Sequence, residues 1–106
     1  MRQNILKVIE AFKVNKKAKG DSKGTCSTDG TFIWSYNMVI AMRLNDEVIV
    51  CPYKLCPSVT TRAQHRAIMS SIPGVKELTE AQWSTLGLRA TQANEVLQER
   101  HLRGWQ

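Results

Sequence analysis

The sequence predicts an α+β fold: an N-terminal helix, a three- to four-stranded antiparallel sheet, and two to three helices packed on that sheet. This prediction follows from two changes of hydrophobic period along the chain. Apolar residues recur at helical spacing in residues 3–14, alternate along the chain from 25 to 53, and return to helical spacing after residue 59. At 106 residues the chain is long enough for one domain with a single modest core, so we predict one domain over residues 1–106.

The N-terminal helix is predicted from an apolar stripe with charged residues between its members. The stripe consists of Ile5, Val8, Ile9 and Phe12. The segment that follows, "VNKKAKGDSKG", combines lysines with two glycines and an aspartate. Such a composition favours a connection over regular structure, so we predict a flexible basic connection at about residues 15–24.

The sheet is predicted from alternating segments separated by turn residues. The segment "TFIWSY" follows a turn at Asp29-Gly30, and "MVIAMRL" continues the extended pattern. Asn45-Asp46 makes a second tight turn into "EVIVCPY". Pro52 and Pro57 end the sheet, because proline has no N–H to donate to a strand ladder. One face of the sheet is expected to be aliphatic and the other partly polar.

Two helical stretches follow the sheet. The first covers residues 60–72 and stops at "IPG". Thr79 with Gln82 three positions later matches a capping box at the start of the second. Its apolar face consists of Trp83, Leu86, Ala90, Ala93 and Leu97, and Thr91 is a candidate cap for a separate piece.

Positive charge is concentrated at the N-terminus. Residues 1–24 hold seven Lys or Arg against two acidic residues, which gives +5 of the total net charge of +6. An uneven basic charge indicates an anionic partner, most commonly nucleic acid, although a solvated lysine-rich helix gives the same pattern. The candidate binding residues of this basic arm are Lys13, Lys16, Lys17, Lys19 and Lys23.

The stretch "SVTTRAQHR", residues 58–66, is the second basic focus. Its serine and threonines can cap the first turn of a helix, since each can accept a hydrogen bond from an unpaired N–H. Arg62 and Arg66 lie one turn apart, so they are candidates to hold adjacent phosphates or carboxylates of a partner. The alternative is an exposed charged face. His65 shares the apolar arc of the helix, and we interpret it as a packed histidine in preference to a catalytic base.

Aromatic residues offer a second kind of contact. Bases of single-stranded nucleic acid stack on exposed rings, and "FIWSY" lies near the basic arm. We assign Phe32 and Trp34 to the core, because alternating aromatics in a short strand gain more from burial. Tyr36, near a strand end, and Trp105, near the chain end, are the better candidates for a contact surface.

Chemistry-bearing motifs are sparse. Three cysteines, Cys26, Cys51 and Cys56, form no paired pattern, which favours a reducing compartment such as the cytoplasm. A zinc site can be drawn from Cys51, Cys56 and His65, but a fourth ligand would have to come from Cys26 or His101. No acidic pair, phosphate loop or nucleophile motif occurs in the sequence. We therefore expect a non-enzymatic protein without metal or cofactor.

Two segments resemble a family of small proteins encoded by phages and archaeal viruses. The pattern is a glycine, then "SYN" leading into "IA", a hairpin, and "S-x-TT" followed by a polar-His helix start. The matching residues, within about residues 24–70, are Gly30, Ser35, Tyr36, Asn37, Ile40, Ala41, Ser58, Thr60, Thr61, Gln64 and His65. Cys56 and Pro57 stand where the pattern commonly has a tyrosine before the serine.

The resemblance implies a viral protein, and small phage proteins without catalytic motifs are often inhibitors of host machinery, including anti-CRISPR and other anti-defence proteins. The expected function is therefore inhibition of a host nucleic-acid-targeting defence complex through the basic surface, in the host cytoplasm. The alternative is direct binding of DNA or RNA by the same residues. A homodimer through the aliphatic sheet face or the C-terminal helix is a further alternative. No membrane partner is expected, because no apolar run reaches the length of a membrane span.

Overall fold

The computed structural model describes residues 2–22 and 25–86 and confirms the α+β class. Within these residues, a helix precedes a six-stranded mixed sheet, and two further helices follow the fifth strand. The elements in chain order are α1 Arg2–Lys13, β1 Ala18–Lys19, β2 Cys26–Thr28, β3 Phe32–Ser35, β4 Met38–Leu44, β5 Glu47–Val50, a 3₁₀ turn at Tyr53–Leu55, α2 Val59–Ser71, β6 Lys76–Glu77 and α3 Glu80–Thr85.

The sheet has more strands than predicted. Its strands lie in chain order from β1 to β6, and every neighbouring pair is antiparallel except β5–β6, which is parallel. The predicted count of three to four misses the two-residue strands at both edges. β1 lies inside the connection predicted at 15–24, and β6 follows α2. Two residues are too few for a periodic pattern, so the sequence carries no signal for either edge strand.

The predicted turns are confirmed at both positions. The Asp29 carboxylate accepts hydrogen bonds from the N–H groups of Thr31 and Phe32, both at 2.9 Å, and Gly30 has a positive φ of 97°. Asn45 and Asp46 have φ values of 53° and 66°, the left-handed pair that a two-residue hairpin turn needs. A further turn joins β3 to β4 at Tyr36-Asn37, in a segment where the sequence predicts continuous alternation.

The central strand β4 is buried on both faces, contrary to the prediction of one aliphatic and one partly polar face. Its four residues from Val39 to Met42 are all buried. The pairing passes from Ile33↔Ala41 to Trp34↔Val39, which leaves Ile40 as an extra residue in a β-bulge. A bulge shifts the alternation of side chains by one residue, so the simple period-two assignment of faces fails along this strand.

The aromatic residues of β3 lie on the less buried side of that strand. Ile33 and Ser35 are fully buried, whereas Phe32 and Trp34 are half-buried and pack against the core with ring centroids 5.7 Å apart. Their assignment to the core therefore holds in part. The Trp34 indole nitrogen is buried without a hydrogen-bond partner among the residues that the structure describes.

Both long helices cover the same face of the sheet. Ile33 and Ala41 are paired neighbours and share a face with Ser35 and Arg43, which lie two residues away along their strands. The Ser35 hydroxyl is 2.8 Å from the Thr61 hydroxyl of α2, and the Arg43 guanidinium lies 4.4 Å from the centre of the Phe12 ring of α1. The apolar stripe of α1 is buried against this face, as its spacing predicts.

The helix boundaries agree with the predictions to within one residue at each end for α1 and α2. The capping box of α3 is confirmed: the Thr79 hydroxyl accepts from the Gln82 N–H at 3.1 Å, and the Gln82 side chain accepts from the Thr79 N–H at 2.9 Å. Trp83 is buried in the core. The predicted apolar positions at 90, 93 and 97, and the cap at Thr91, lie outside the described residues.

Arg43 joins three parts of the fold at one point. One guanidinium nitrogen donates to the Phe12 carbonyl at the end of α1 at 2.9 Å. The other donates to the Gly30 carbonyl at 2.6 Å and to the Asn15 side chain. A cation at the C-terminus of a helix also complements the partial negative charge of the unpaired carbonyls there. Arg43 therefore holds the end of α1 against the β2–β3 turn.

Replacing Arg43 by methionine should lower the free energy of unfolding by about 2 kcal/mol, because carbonyl groups of Phe12 and Gly30 lose a charged donor. Urea unfolding followed by circular dichroism measures the loss. Arg62→Met is the matched control, since the Arg62 side chain has no hydrogen bond or ion pair within the described residues, and it should change stability by less than about 0.5 kcal/mol. Equal losses in the two variants would contradict the assigned role.

A pair of glycine substitutions tests the contact between the β2–β3 turn and the exit of α1. A Cβ on Gly30 would lie 2.7 Å from the Asn15 carbonyl carbon, whereas a Cβ on Gly74 would meet nothing within 4 Å. Both glycines have positive φ, so both alanine variants carry backbone strain of about 1 kcal/mol. We expect Gly30→Ala to cost at least about 2 kcal/mol more than Gly74→Ala in the same unfolding assay. Similar costs would show that the turn moves away from Asn15 without penalty.

Candidate functional site

The basic residues after α1 form an exposed segment on the edge of the sheet. Asn15, with φ of 61°, ends the helix, and the Lys16 N–H donates to the Ala11 carbonyl at 2.8 Å. Lys16 and Lys17 then lead into the edge strand β1, where Lys19 pairs with Ser27. The backbone of this part of the predicted connection is thus held by hydrogen bonds, while its lysine side chains are exposed to solvent.

Charge pairing separates the lysines into two groups. Lys13 is 3.3 Å from the Glu10 carboxylate one turn earlier in α1. No carboxylate within the described residues lies within ion-pair distance of Lys16, Lys17 or Lys19. Lys23, the fifth lysine of the predicted basic arm, lies outside the described residues. We call Lys16, Lys17 and Lys19 the basic edge.

Tyr36 lies at the opposite end of the sheet from Lys16 and Lys17. β1 begins opposite Thr28, beside the β2–β3 turn, whereas Tyr36 follows Ser35, which is paired with Cys26 at the start of β2. The Tyr36 N–H donates to the Thr25 carbonyl at 2.9 Å, and its side chain is 57% exposed. Its φ of 55° is unusual for a residue with a bulky side chain. The predicted contact residues therefore do not form one compact patch.

The start of α2 is built from hydroxyl groups, as the sequence predicts. Ser58 is the N-cap and accepts a hydrogen bond from the Thr61 N–H at 3.2 Å. The Thr61 hydroxyl lies 3.1 Å from the Ser58 hydroxyl and 2.8 Å from that of Ser35. These three groups border a groove of about 460 Å³ between Pro57-Ser58 and the Tyr36-Asn37 turn. The hydroxyls bond to one another, so they fix α2 to β3 at this point.

Arg62 and Arg66 have different surroundings, although they lie one turn apart. Arg66 donates to the Tyr53 hydroxyl at 2.8 Å and lies 5.6 Å from the centre of that ring. It also borders a groove of about 470 Å³ between α1 and α2. The Arg62 side chain makes no hydrogen bond or ion pair within the part of the chain that the structure describes. Burial raises the thiol pKa of Cys56, and the positive charge of Arg62 partly offsets that rise.

His65 is buried, which confirms its assignment as a packed histidine. Its Nε2 atom is 2.8 Å from the Cys51 carbonyl and 3.3 Å from the Glu77 carboxylate. With the proton assigned to Nε2, the nitrogen donates to the Cys51 carbonyl, and Nδ1 is left buried without a partner. The Tyr53 ring meets the imidazole edge-on at a centroid distance of 5.3 Å.

Glu77 completes this arrangement from the far edge of the sheet. Its carboxylate accepts a hydrogen bond from the Tyr53 N–H at 2.7 Å as well as lying beside His65. Sequence reasoning missed both Glu77 and Tyr53, because β6 has no periodic signal and because Tyr53 sits in a turn between prolines. In the sequence, the positions of Cys51 and Cys56 on either side of Tyr53 were the available indication that this turn is part of the arrangement.

The three cysteines are buried and carry free thiols. The Cys51 and Cys56 sulfur atoms are 3.9 Å apart. Burial raises the pKa of Cys26 to about 12 and also raises the pKa values of Cys51 and Cys56, and the neighbouring Cys56 thiol raises that of Cys51 further. Across residues 2–22 and 25–86, no group of three or more His, Cys, Asp or Glu side chains is arranged to hold a metal ion.

No protein-family model, curated protein or solved structure has significant similarity to the chain. The candidate site therefore rests on its own geometry. None of the helices that the structure describes is long and apolar enough to cross a membrane.

The hydroxyl contact between α2 and the sheet can be tested by an isosteric substitution. Thr61→Val removes the only oxygen bonded to the buried Ser35 hydroxyl among the described residues, so we expect a loss of about 1–2 kcal/mol in free energy of unfolding. Thr60→Val is the matched control, because the Thr60 side chain makes no such bond, and it should cost less than about 0.5 kcal/mol. Chemical unfolding of both variants measures the difference. A Thr61→Val variant as stable as the control would contradict this role of the hydroxyl.

Proposed function

We propose that this chain is a non-enzymatic protein that binds a host nucleic-acid-targeting defence complex through the basic edge and thereby inhibits it. An anionic partner is inferred because the three lysines of the basic edge have no ion-pair partner within the described residues. Lys54 and Lys76, by contrast, are paired with Glu80 at 2.7 Å and Glu47 at 3.7 Å. The class of target comes from the resemblance to small phage and archaeal-virus proteins.

Unpaired lysines on one edge favour a partner that spans several of them. Lys16, Lys17 and Lys19 occupy three of four consecutive positions of the chain, and β1 rises by about 3.3 Å per residue. Several positive charges at that spacing suit a surface with repeated negative charge, such as a phosphate backbone or an acidic protein groove. Arg62, at the start of α2, adds a further cation without an ion-pair partner in the described residues.

The non-enzymatic part of the proposal is supported by the state of the candidate catalytic groups. The Nε2 atom of His65 is engaged with the Cys51 carbonyl in the interior. Burial raises the pKa values of all three cysteine thiols, which keeps them protonated and weakly nucleophilic near neutral pH. In a binding role, the exposed lysines contact the partner, and His65 and the three cysteines pack in the interior.

Direct binding of DNA or RNA is the second candidate function. The observation that favours it is Tyr36, whose exposed ring sits on a short turn and offers a stacking surface. Stacking of one base on an aromatic side chain contributes about 1–3 kcal/mol. The two candidates differ in what they need: direct binding works with purified nucleic acid, whereas inhibition of a defence complex needs a protein component.

The basic edge is tested by neutralising two lysines. In Lys16→Gln/Lys17→Gln we expect the protein to lose inhibition in a phage-restriction panel and to lose co-purification with the target complex from host lysate. Lys54→Gln/Lys76→Gln is the matched control: it removes the same charge, from +6 to +4, at lysines that already have ion-pair partners, and it should retain both activities. Equal loss in both variants would mean that only net charge matters.

Salt dependence separates the two candidate functions. For direct binding of labelled duplex DNA, the slope of log affinity against log salt should fall by about 0.9 for each phosphate contact removed, hence by nearly 2 in the Lys16/Lys17 variant. Nuclease treatment of the lysate should abolish capture in that case. If the purified protein has no affinity for DNA or RNA at low salt, direct binding is excluded. If no defence complex is captured or inhibited, the first proposal fails.

A further inference from the structure

Cys51 and Cys56 form a pair of contacting thiols that the proposed function does not use. They flank the turn Pro52–Leu55, and each is almost completely buried, at 0% and 3% exposure. The third cysteine, Cys26, lies in β2 and makes no hydrogen bond to either thiol within the described residues. The described part of the chain therefore contains one thiol pair and one separate buried thiol.

The geometry of this pair suits an intramolecular disulfide. The two sulfur atoms are 3.9 Å apart, and a disulfide bond brings them to about 2.0 Å, so closure needs an approach of about 1.9 Å. The turn between them is short and its Tyr53 and Lys54 side chains are exposed, whereas Pro52 is buried and Leu55 packs against the core, so the approach of the sulfur atoms displaces part of this packing. Rotation of the two cysteine side chains and a small shift of this turn supply the approach.

We propose that Cys51 and Cys56 are an oxidation site that reacts with a low-molecular-weight disulfide to form an intramolecular disulfide bond. This proposal does not depend on the binding function. The reactant, a small disulfide of two identical thiols, is the oxidant, and the two cysteines are the reductant. No metal ion or further co-reactant is needed.

The reaction proceeds in two exchange steps. Both thiols are buried and protonated, so the exchange begins when the turn Pro52–Leu55 opens locally. The Cys56 thiol then loses its proton, and the thiolate attacks one sulfur of the small disulfide, which breaks that bond and releases one small thiolate. The Cys51 thiolate then attacks the Cys56 sulfur of the mixed disulfide and releases the second small thiolate. The two protons from the cysteines are taken up by the two released thiolates. The protein loses two electrons and two protons, and the small disulfide gains both.

The order of attack follows from the charges around the two sulfur atoms. Burial raises the pKa of Cys56 overall, and the contact with Cys51 and the Arg62 guanidinium partly offset this rise. Cys51 has no cationic side chain acting on it, and Cys56 raises its pKa. The thiolate is the attacking species, so Cys56 is the first nucleophile and Cys51 resolves the mixed disulfide.

Closure of the bond would fix the turn that carries Tyr53. The Tyr53 N–H donates to Glu77, and its hydroxyl accepts from Arg66, so this turn joins β6 to the exposed side of α2. Oxidation at the buried pair therefore acts on the surroundings of Arg66, one of the two arginines at the second basic focus.

The test incubates the folded full chain with oxidised glutathione, then denatures it and counts free thiols with an aromatic disulfide reagent. The three thiols should fall to one, with a loss of about 2 Da in intact mass, and peptide mapping should show Cys51 linked to Cys56. Cys26→Ser is the matched control, since it removes a buried thiol outside the pair, and its two remaining thiols should fall to none. Cys51→Ser should stop at a glutathione adduct on Cys56.

Three results would overturn the proposal. The folded wild-type chain could keep all three thiols under conditions that oxidise it in denaturant. It could accumulate only glutathione adducts without an internal bond. Mapping could also show that Cys26 or a second chain supplies one of the sulfur atoms. The wild-type measurement needs no substitution, so it decides the matter even if a cysteine variant fails to fold.

Discussion

The rest of the structure depends on the hydrogen bonds by which the Arg43 guanidinium joins α1 to the β2–β3 turn. Two carbonyl groups, from Phe12 and Gly30, point at one cation, which also lies over the Phe12 ring. The Gly30 carbonyl lies in a turn, and the Phe12 carbonyl lies at the end of α1, where it also accepts from the Asn15 N–H at 3.1 Å. One planar cation with several donors can satisfy both, as lysine could not with the same geometry. The sheet and α1 are aligned through this point.

A second buried group holds the opposite side of the fold. His65 on α2 touches the Cys51 carbonyl at the end of β5 and the Glu77 carboxylate on β6. β6 pairs with β5 through only two residues, which is little backbone hydrogen bonding for a strand at the sheet edge. The contacts of Glu77 with His65 and Tyr53 add to the few backbone hydrogen bonds that hold β6 against β5. The same network surrounds the Cys51–Cys56 pair, so a change at the thiols reaches both the edge strand and α2.

The basic edge has a structural consequence as well as a binding one. β1 is an edge strand, and unpaired N–H and C=O groups at an edge can pair with another chain. Exposed lysines oppose such pairing, because two copies would bring like charges together. Because Lys16, Lys17 and Lys19 form no ion pair within the described residues, their charges oppose self-association and are available to an anionic partner. The two roles are compatible, since a phosphate-bearing or acidic partner brings the opposite charge.

The sequence by itself determined the α+β class, the bounds of α1 and α2 to within one residue, the hydroxyl-capped start of α2, the cap at Thr79, and the turns at Asp29-Gly30 and Asn45-Asp46. Each of these depends on neighbours within a few residues, such as a capping hydroxyl or a left-handed turn residue. Only the tertiary structure decided the two edge strands, the bulge at Ile40, the separation of Tyr36 from Lys16 and Lys17, and the different surroundings of Arg62 and Arg66. These features depend on which distant segments meet, as Arg43 does with Phe12 and Glu77 with His65, and local spacing along a chain carries no information on that.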